Sequence, residues 1–191
     1  MSVLIAGLIL FLGAHAVSIV APVWRDRVVA RIGKLPWQGI YSVIAVAGLV
    51  LIVQGYAASR GQTAVLYQLP RAIQYLTMLL MLPVFPLLLA TYLPGRIKTV
   101  MRHPMLAATK FWALAHLLAN GTVADVVLFG SVLAWAVADR ISLKRRPSRP
   151  AANLPAGRWN DLIAIVAGLA IYAGFFLGLH RWLVGMPLTV G

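Results

Sequence analysis

Six apolar stretches of this chain, at residues 3–23, 37–58, 72–93, 104–120, 123–141 and 161–185, are long enough to cross a membrane. No other feature limits the fold as strongly. A helix rises 1.5 Å per residue, so runs of about 17–25 apolar residues match a hydrocarbon core roughly 30 Å thick. A strand in lipid would need the in-out alternation of a closed barrel, and none of the six runs alternates. The chain is 61% hydrophobic and 11% charged, a balance foreign to soluble domains. The expected fold class is therefore all-α: an integral membrane bundle of six transmembrane helices, forming a single domain over residues 1–191.

The basic residues orient that bundle. With six spans, three connecting loops share one membrane face. The first holds Arg25, Arg27, Arg31 and Lys34, and the second Arg96, Lys98 and Arg102. The third holds Arg140, Lys144, Arg145, Arg146, Arg149 and Arg158. The opposite loops hold Arg60 and Arg71 alone. Such an excess marks the cytoplasmic side and puts both termini on the periplasmic face. The net charge of +13 is read as topology and attraction to the anionic lipid bilayer, not as a nucleic-acid surface. The start of the chain has no basic residue before Arg25, unlike a signal peptide, so the first span is read as retained. Cysteine is absent, which excludes disulfides, thiolate ligands and thiol chemistry.

Three further features bear on shape. Pro83 and Pro86 fall inside the third span, where a proline removes a backbone bond and bends the helix. The bend serves either packing or a ligand. Residues 142–160, with Lys144-Arg-Arg146 and several prolines, read as a basic cytoplasmic loop. Small residues recur at Gly7, Gly13, Ala14 and Ala16, and again at Gly168, Ala173, Gly174 and Gly178, permitting close helix approach.

Chemistry concentrates in the fourth span, Arg102-His-Pro-Met-Leu-Ala-Ala-Thr-Lys-Phe-Trp-Ala-Leu-Ala-His-Leu-Leu-Ala-Asn-Gly121. Pro104 suits the first turn of a helix and Asn120-Gly121 its end. Between them lie Thr109, Lys110 and His116, and ionisable groups at such depth are costly unless paired or functional. His15 is about 13 Å and His116 about 18 Å from the cytoplasmic edge, counted at 1.5 Å per residue. Two imidazoles at similar depth on different spans can ligate one metal. Without cysteine, glutamate or a carboxylate cluster, a zinc or di-iron site lacks donors. A haem brings four of its own six, so two histidines suffice. Thr109, Trp112, His116 and Asn120 share one helical face and would wall a flat ligand. Lys110 or Arg102 would meet a haem carboxylate, as would Arg96 or Lys98. The alternative is that the histidines only bond helices together. His103 and His180 lie near the two membrane boundaries as interfacial polar residues.

Arg102-His103-Pro104 followed by Trp112-Ala-Leu-Ala-His116-Leu-Leu-Ala-Asn-Gly121, with Gly13-Ala14-His15 in the first span, resembles the NnrU family over nearly the whole chain. That resemblance implies a multi-pass protein of the bacterial inner membrane associated with nitrite and nitric oxide respiration. It also implies kinship with the 15-cis-zeta-carotene isomerases, in which haem b serves cis-trans isomerisation of an apolar polyene. By that resemblance the iron ligands are His15 and His116. Where the isomerases carry a cysteine three residues before the second histidine, this chain has Ala113, so ligation by a thiolate is excluded. Arg-His-Pro at a helix start also resembles membrane methyltransferases that use S-adenosylmethionine. Those need acidic residues after the motif helix, and here Asp125 falls on the outer side. The expected function is a haem b protein, either an isomerase or a non-enzymatic sensor, relay or assembly factor.

Overall fold

The computed structural model describes residues 1–70, 72–146 and 154–185. Arg71, Arg149 and residues 147–153 of the expected basic loop lie outside the described residues. The fold is all-helical. In chain order come α1 (Ser2–Val20), α2 (Pro22–Ile32), α3 (Lys34–Ser59), α4 (Ala72–Met81), α5 (Val84–Ala90) and α6 (Arg96–Met101). Then follow α7 (Pro104–Ala119), α8 (Val123–Ser142), α9 (Asn160–Gly174), a segment kinked at Gly178 (Phe175–Leu179) and α10 (His180–Val184). Among the described residues, four helical stretches are long and apolar enough to cross a membrane: Ser2–Val20, Lys34–Ser59, Ala72–Ala90 and Asn160–Val184. α7, with 16 residues, is shorter than these, and α8 includes Asp125, Asp139 and Arg140.

The boundaries differ from the sequence reading in one informative place. The first apolar run was expected to reach residue 23, but the helix stops at Ala21 (φ −133, ψ 54). Pro22 has no N–H to continue α1, and its fixed φ suits the first position of a new helix. Gly33, at φ 91, then turns the chain into α3. A separate helix of 11 residues, α2, therefore joins two spans.

The chain divides into two compact units, residues 1–67 with 121–145 and residues 68–120 with 146–191. In the first unit α1 and α3 run antiparallel in backbone contact. A Cβ on Gly48 would lie 2.6 Å from Phe11 N, and one on Gly7 would lie 2.6 Å from Ile52 N. A Cβ on Gly55 would collide with the backbone of Leu4. In lipid, tails are as apolar as leucine, so helix association depends on such close packing. Leu4 and Leu8 are buried along the seam.

The start of α8 is held by a set of polar contacts. Asp125 is buried and accepts from Tyr56 Oη (2.6 Å), Thr122 Oγ1 (2.6 Å) and Thr122 N (2.9 Å). Thr122 in turn caps the helix through Asp125 N, completing a capping box. Leu66 N donates to Gly121 O (2.7 Å) and Val123 N to Ala64 O (3.0 Å), fastening residues 64–67 to this corner.

In the second unit α5 packs on α7 and α9 around Val84, Leu87 and Ala108. The expected bend appears as a break between α4 and α5 at Pro83. Leu82 N turns to Leu79 O (3.3 Å), and Tyr172 Oη of α9 donates to Met78 O (3.2 Å). A carbonyl that a regular helix would give to Leu82 thus finds its partner on a neighbour, as the apolar surroundings require. Gly168 admits the backbone of Pro86 at the same packing face. Asp161, at the start of α9, accepts from Arg96 N (2.7 Å) and Ile97 N (3.0 Å) and so caps α6.

The glycine seam predicts an asymmetry between two alanine variants. Gly55→Ala places a methyl group into Leu4 and is expected to cost roughly 1–3 kcal/mol, the range for overpacking. Gly13→Ala, where a Cβ meets nothing within 4 Å, is expected to be neutral or stabilising. Thermal unfolding in detergent followed by light scattering checks this, and equal midpoints for the two variants would contradict the seam.

Candidate functional site

His15 sits on α1, just beyond the glycine contact. Its Nδ1 lies 2.6 Å from Phe11 O, one helical turn back. A carbonyl oxygen only accepts, so Nδ1 carries a proton, and in the neutral ring Nε2 then holds the lone pair. Three rings surround the imidazole. Phe11 lies 4.3 Å away by ring centroids, Tyr41 of α3 5.2 Å, and Trp135 of α8 5.5 Å at 85°. Each helix of this unit that is long enough to reach that level supplies a ring. The indole Nε1 of Trp135 is buried with no hydrogen-bond partner. A buried N–H left unpaired costs about 1–3 kcal/mol, so this donor awaits an acceptor.

His116 sits on α7, in the second unit, and repeats the arrangement. Its Nδ1 donates to Trp112 O at 2.8 Å, again one turn back, which leaves the lone pair on Nε2. The Trp112 ring lies tilted beside it, at 4.8 Å by centroids and 42° between planes. Metal-binding histidines commonly hold their second ring nitrogen on a backbone carbonyl in this way, which sets tautomer and ring direction.

The remaining expected site residues divide by what occupies them. Trp112 also packs on the Val84–Leu87–Ala108 core, so its ring has a structural task beside its contact with His116. Thr109 Oγ1 donates to Met105 O (2.9 Å) within its own helix. Asn120 Nδ2 donates to His116 O (3.0 Å), closing the end of α7 where the sequence placed a stop. Lys110 is half-buried on α7. Lys98 Nζ donates to Thr91 O (2.5 Å) at the end of α5. Arg102 is exposed and has φ 58, ψ −44, with His103 N bonded to Met101 O at 2.6 Å. That is a classic γ-turn, rare for a residue with a side chain. It reverses the chain between α6 and α7 and makes His103 the N-cap of α7. His180 opens α10.

Tyr41 and Trp135 escaped the sequence reading. A signal existed. Counted from the expected span ends at residues 23, 37 and 141, His15, Tyr41 and Trp135 lie eight, four and six residues in, about 12, 6 and 9 Å from the expected cytoplasmic edge at 1.5 Å per residue. Among the described residues, no group of three or more His, Asp or Glu side chains gathers to hold a metal ion. Asp125, the carboxylate nearest the motif helix in sequence, is fully engaged with Thr122 and Tyr56.

Comparison with known proteins gives one match. A family model described as NnrU protein matches residues 3–188. No curated protein and no solved structure matches the chain.

The tautomer assignment is open to direct test. In protein labelled with ¹⁵N-histidine, His15 and His116 are expected to show a protonated Nδ1 and a bare Nε2 at neutral pH. Variants lacking each histidine assign the signals. A protonated Nε2 at either position would remove the basis for treating it as a ligand.

Proposed function

The chain belongs to the NnrU family, and we propose that it is a multi-pass inner-membrane haem b protein whose iron ligands are His15 and His116. In this reading α7 and α8 join the four candidate stretches as spans, giving six, with both termini periplasmic. The observation that carries it is the shared tautomer. Both imidazoles place Nδ1 on a backbone carbonyl of their own helix, the arrangement by which metal-binding histidines commonly fix tautomer and ring direction.

The donor set fits a haem better than a bare ion. Two neutral nitrogens are too few to bind a naked cation firmly but complete the coordination of a porphyrin iron. The unpaired N–H of Trp135 beside His15 fits as well, because a haem carboxylate is an acceptor. Lys110 and Arg102 would supply charge to such carboxylates. Phe11, Tyr41 and Trp112 would exclude water from the histidines and hold their planes. Bound there, haem supplies a Lewis-acidic iron at a depth where an apolar polyene dissolves, and cis-trans isomerisation of a zeta-carotene-like substrate is the activity we propose. A second reading, electron relay or sensing in nitrite and nitric oxide respiration, is favoured by the ligand set itself. Two histidine nitrogens, with Ala113 where a thiolate could have stood, would suit electron transfer.

Protein purified in mild detergent after expression with ample haem is expected to show a low-spin Soret spectrum. His15→Ala and His116→Ala are each expected to convert it to high spin or to abolish it, while His103→Ala and His180→Ala leave it intact. No Soret band in the parent protein, or its loss in the latter pair instead, overturns the assignment. Incubation of the reduced holoprotein with a cis-configured zeta-carotene separates the two activities. Conversion to the central trans isomer is expected of the isomerase, and unaltered substrate favours the relay.

A further inference from the structure

α2 is too short to be a span and too exposed to be core. At 1.5 Å per residue its 11 residues cover about 16 Å, half of a hydrocarbon core. Its two ends are fixed, because it begins where α1 stops and ends where α3 starts, and both of those helices are long and apolar enough to cross. The helix therefore stays at one membrane face. No residue of α2 is buried. Val23 is 62% exposed and Trp24 52%.

The side chains are sorted by chemistry. Arg25 is committed: it pairs with Asp26 at 2.8 Å and lies over the Trp37 ring at 5.7 Å. Trp37 also receives the edge of Trp24, at 6.1 Å and 74°. Two tryptophans thus meet edge to face at the level where indoles favour the headgroup boundary. Arg27 and Arg31 are different. They are exposed, one helical turn apart, and among the described residues neither makes an ion pair or hydrogen bond. Trp24, Arg27 and Arg31 follow the i, i+3, i+7 spacing of a single helix face.

We propose that this face of α2 is a binding site for the phosphate of an anionic phospholipid. Trp24 enters the headgroup boundary beside the lipid, and the guanidiniums of Arg27 and Arg31 grip the phosphate oxygens from successive turns. A planar guanidinium matches phosphate geometry and is less strongly hydrated than an ammonium, which suits a half-wet boundary. The occupant is a lipid and not a soluble anion, because the two flanking spans and the exposed Val23 hold the helix against the bilayer. This site is independent of the histidines and of any prosthetic group.

The test uses the full-length protein in nanodiscs holding equal phosphatidylglycerol and phosphatidylcholine, released for native mass spectrometry to count retained lipid. The parent is expected to retain phosphatidylglycerol in preference. The Arg27→Gln/Arg31→Gln variant is expected to lose about 30-fold of that preference, the product of two arginines near an anionic surface. Arg27→Lys/Arg31→Lys, which keeps the charge, should retain an intermediate preference, and inorganic phosphate should not displace the lipid. Undiminished preference in the glutamine variant, with folding verified by an unchanged thermal midpoint, overturns the proposal. So does displacement by inorganic phosphate, which would make the site one for a soluble anion.

Discussion

The first unit depends on backbone meeting backbone between α1 and α3. Gly48 and Gly55 let α3 approach Phe11 and Leu4 with no side chain between, while Gly7 does the same from α1. In lipid, where burial of apolar surface from water does not drive association, contact of this kind supplies the attraction and also sets helix rotation. Rotation is what matters for chemistry here. Leu4, Gly7, Phe11 and His15 follow one another at steps of three and four residues along α1. Fixing the first three against α3 turns the fourth toward Tyr41 and, from α8, Trp135. The position of an imidazole is thus decided by glycines one to three turns away.

The second unit is governed by a different constraint, that of satisfying backbone groups where helices are interrupted. The α4–α5 break releases the carbonyl of Met78, and Tyr172 takes it. α6 begins without a cap of its own, and Asp161 supplies one from α9. Asn160 Nδ2 bonds Pro94 O (2.9 Å) and Pro155 O (3.1 Å) alongside. Polar side chains that look isolated in an apolar sequence are, in these cases, partners for backbone irregularities. Such positions are costly to change, since a lost partner leaves an orphan group where water is scarce.

Much of this was legible residue by residue. Pro104 opens α7 and Asn120 closes it because each fits one end of a helix for a local reason, a missing donor and a side-chain amide respectively. His15 and His116 stood out because imidazole is rare at that depth. The end of α1 was not legible, since Val20-Ala-Pro-Val reads as an apolar run and the break at Ala21 is visible only in its backbone angles. The kink at Gly178 (φ 154, ψ −15) was also missed, because a glycine in an apolar run reads equally well as a small residue for close packing. Tyr41 and Trp135 were missed because their relevance depends on which helices are neighbours and at what rotation. Sequence periodicity gives the face of one helix, not its register against another.

The cap on α6 has a consequence for how the protein is made. Asp161 is 65 residues downstream of Arg96, whose N–H it receives. A ribosome adding about 5–20 residues per second needs several seconds to bridge that interval. The two units are also interleaved along the chain, with residues 121–145 of the first emerging between the two halves of the second. During synthesis, then, the hairpin of α1 and α3 exists early, while α4 to α7 emerge with their tyrosine, asparagine and aspartate partners still untranslated. Biogenesis of the second half is a waiting problem, and its completion is timed by the arrival of the last apolar segment.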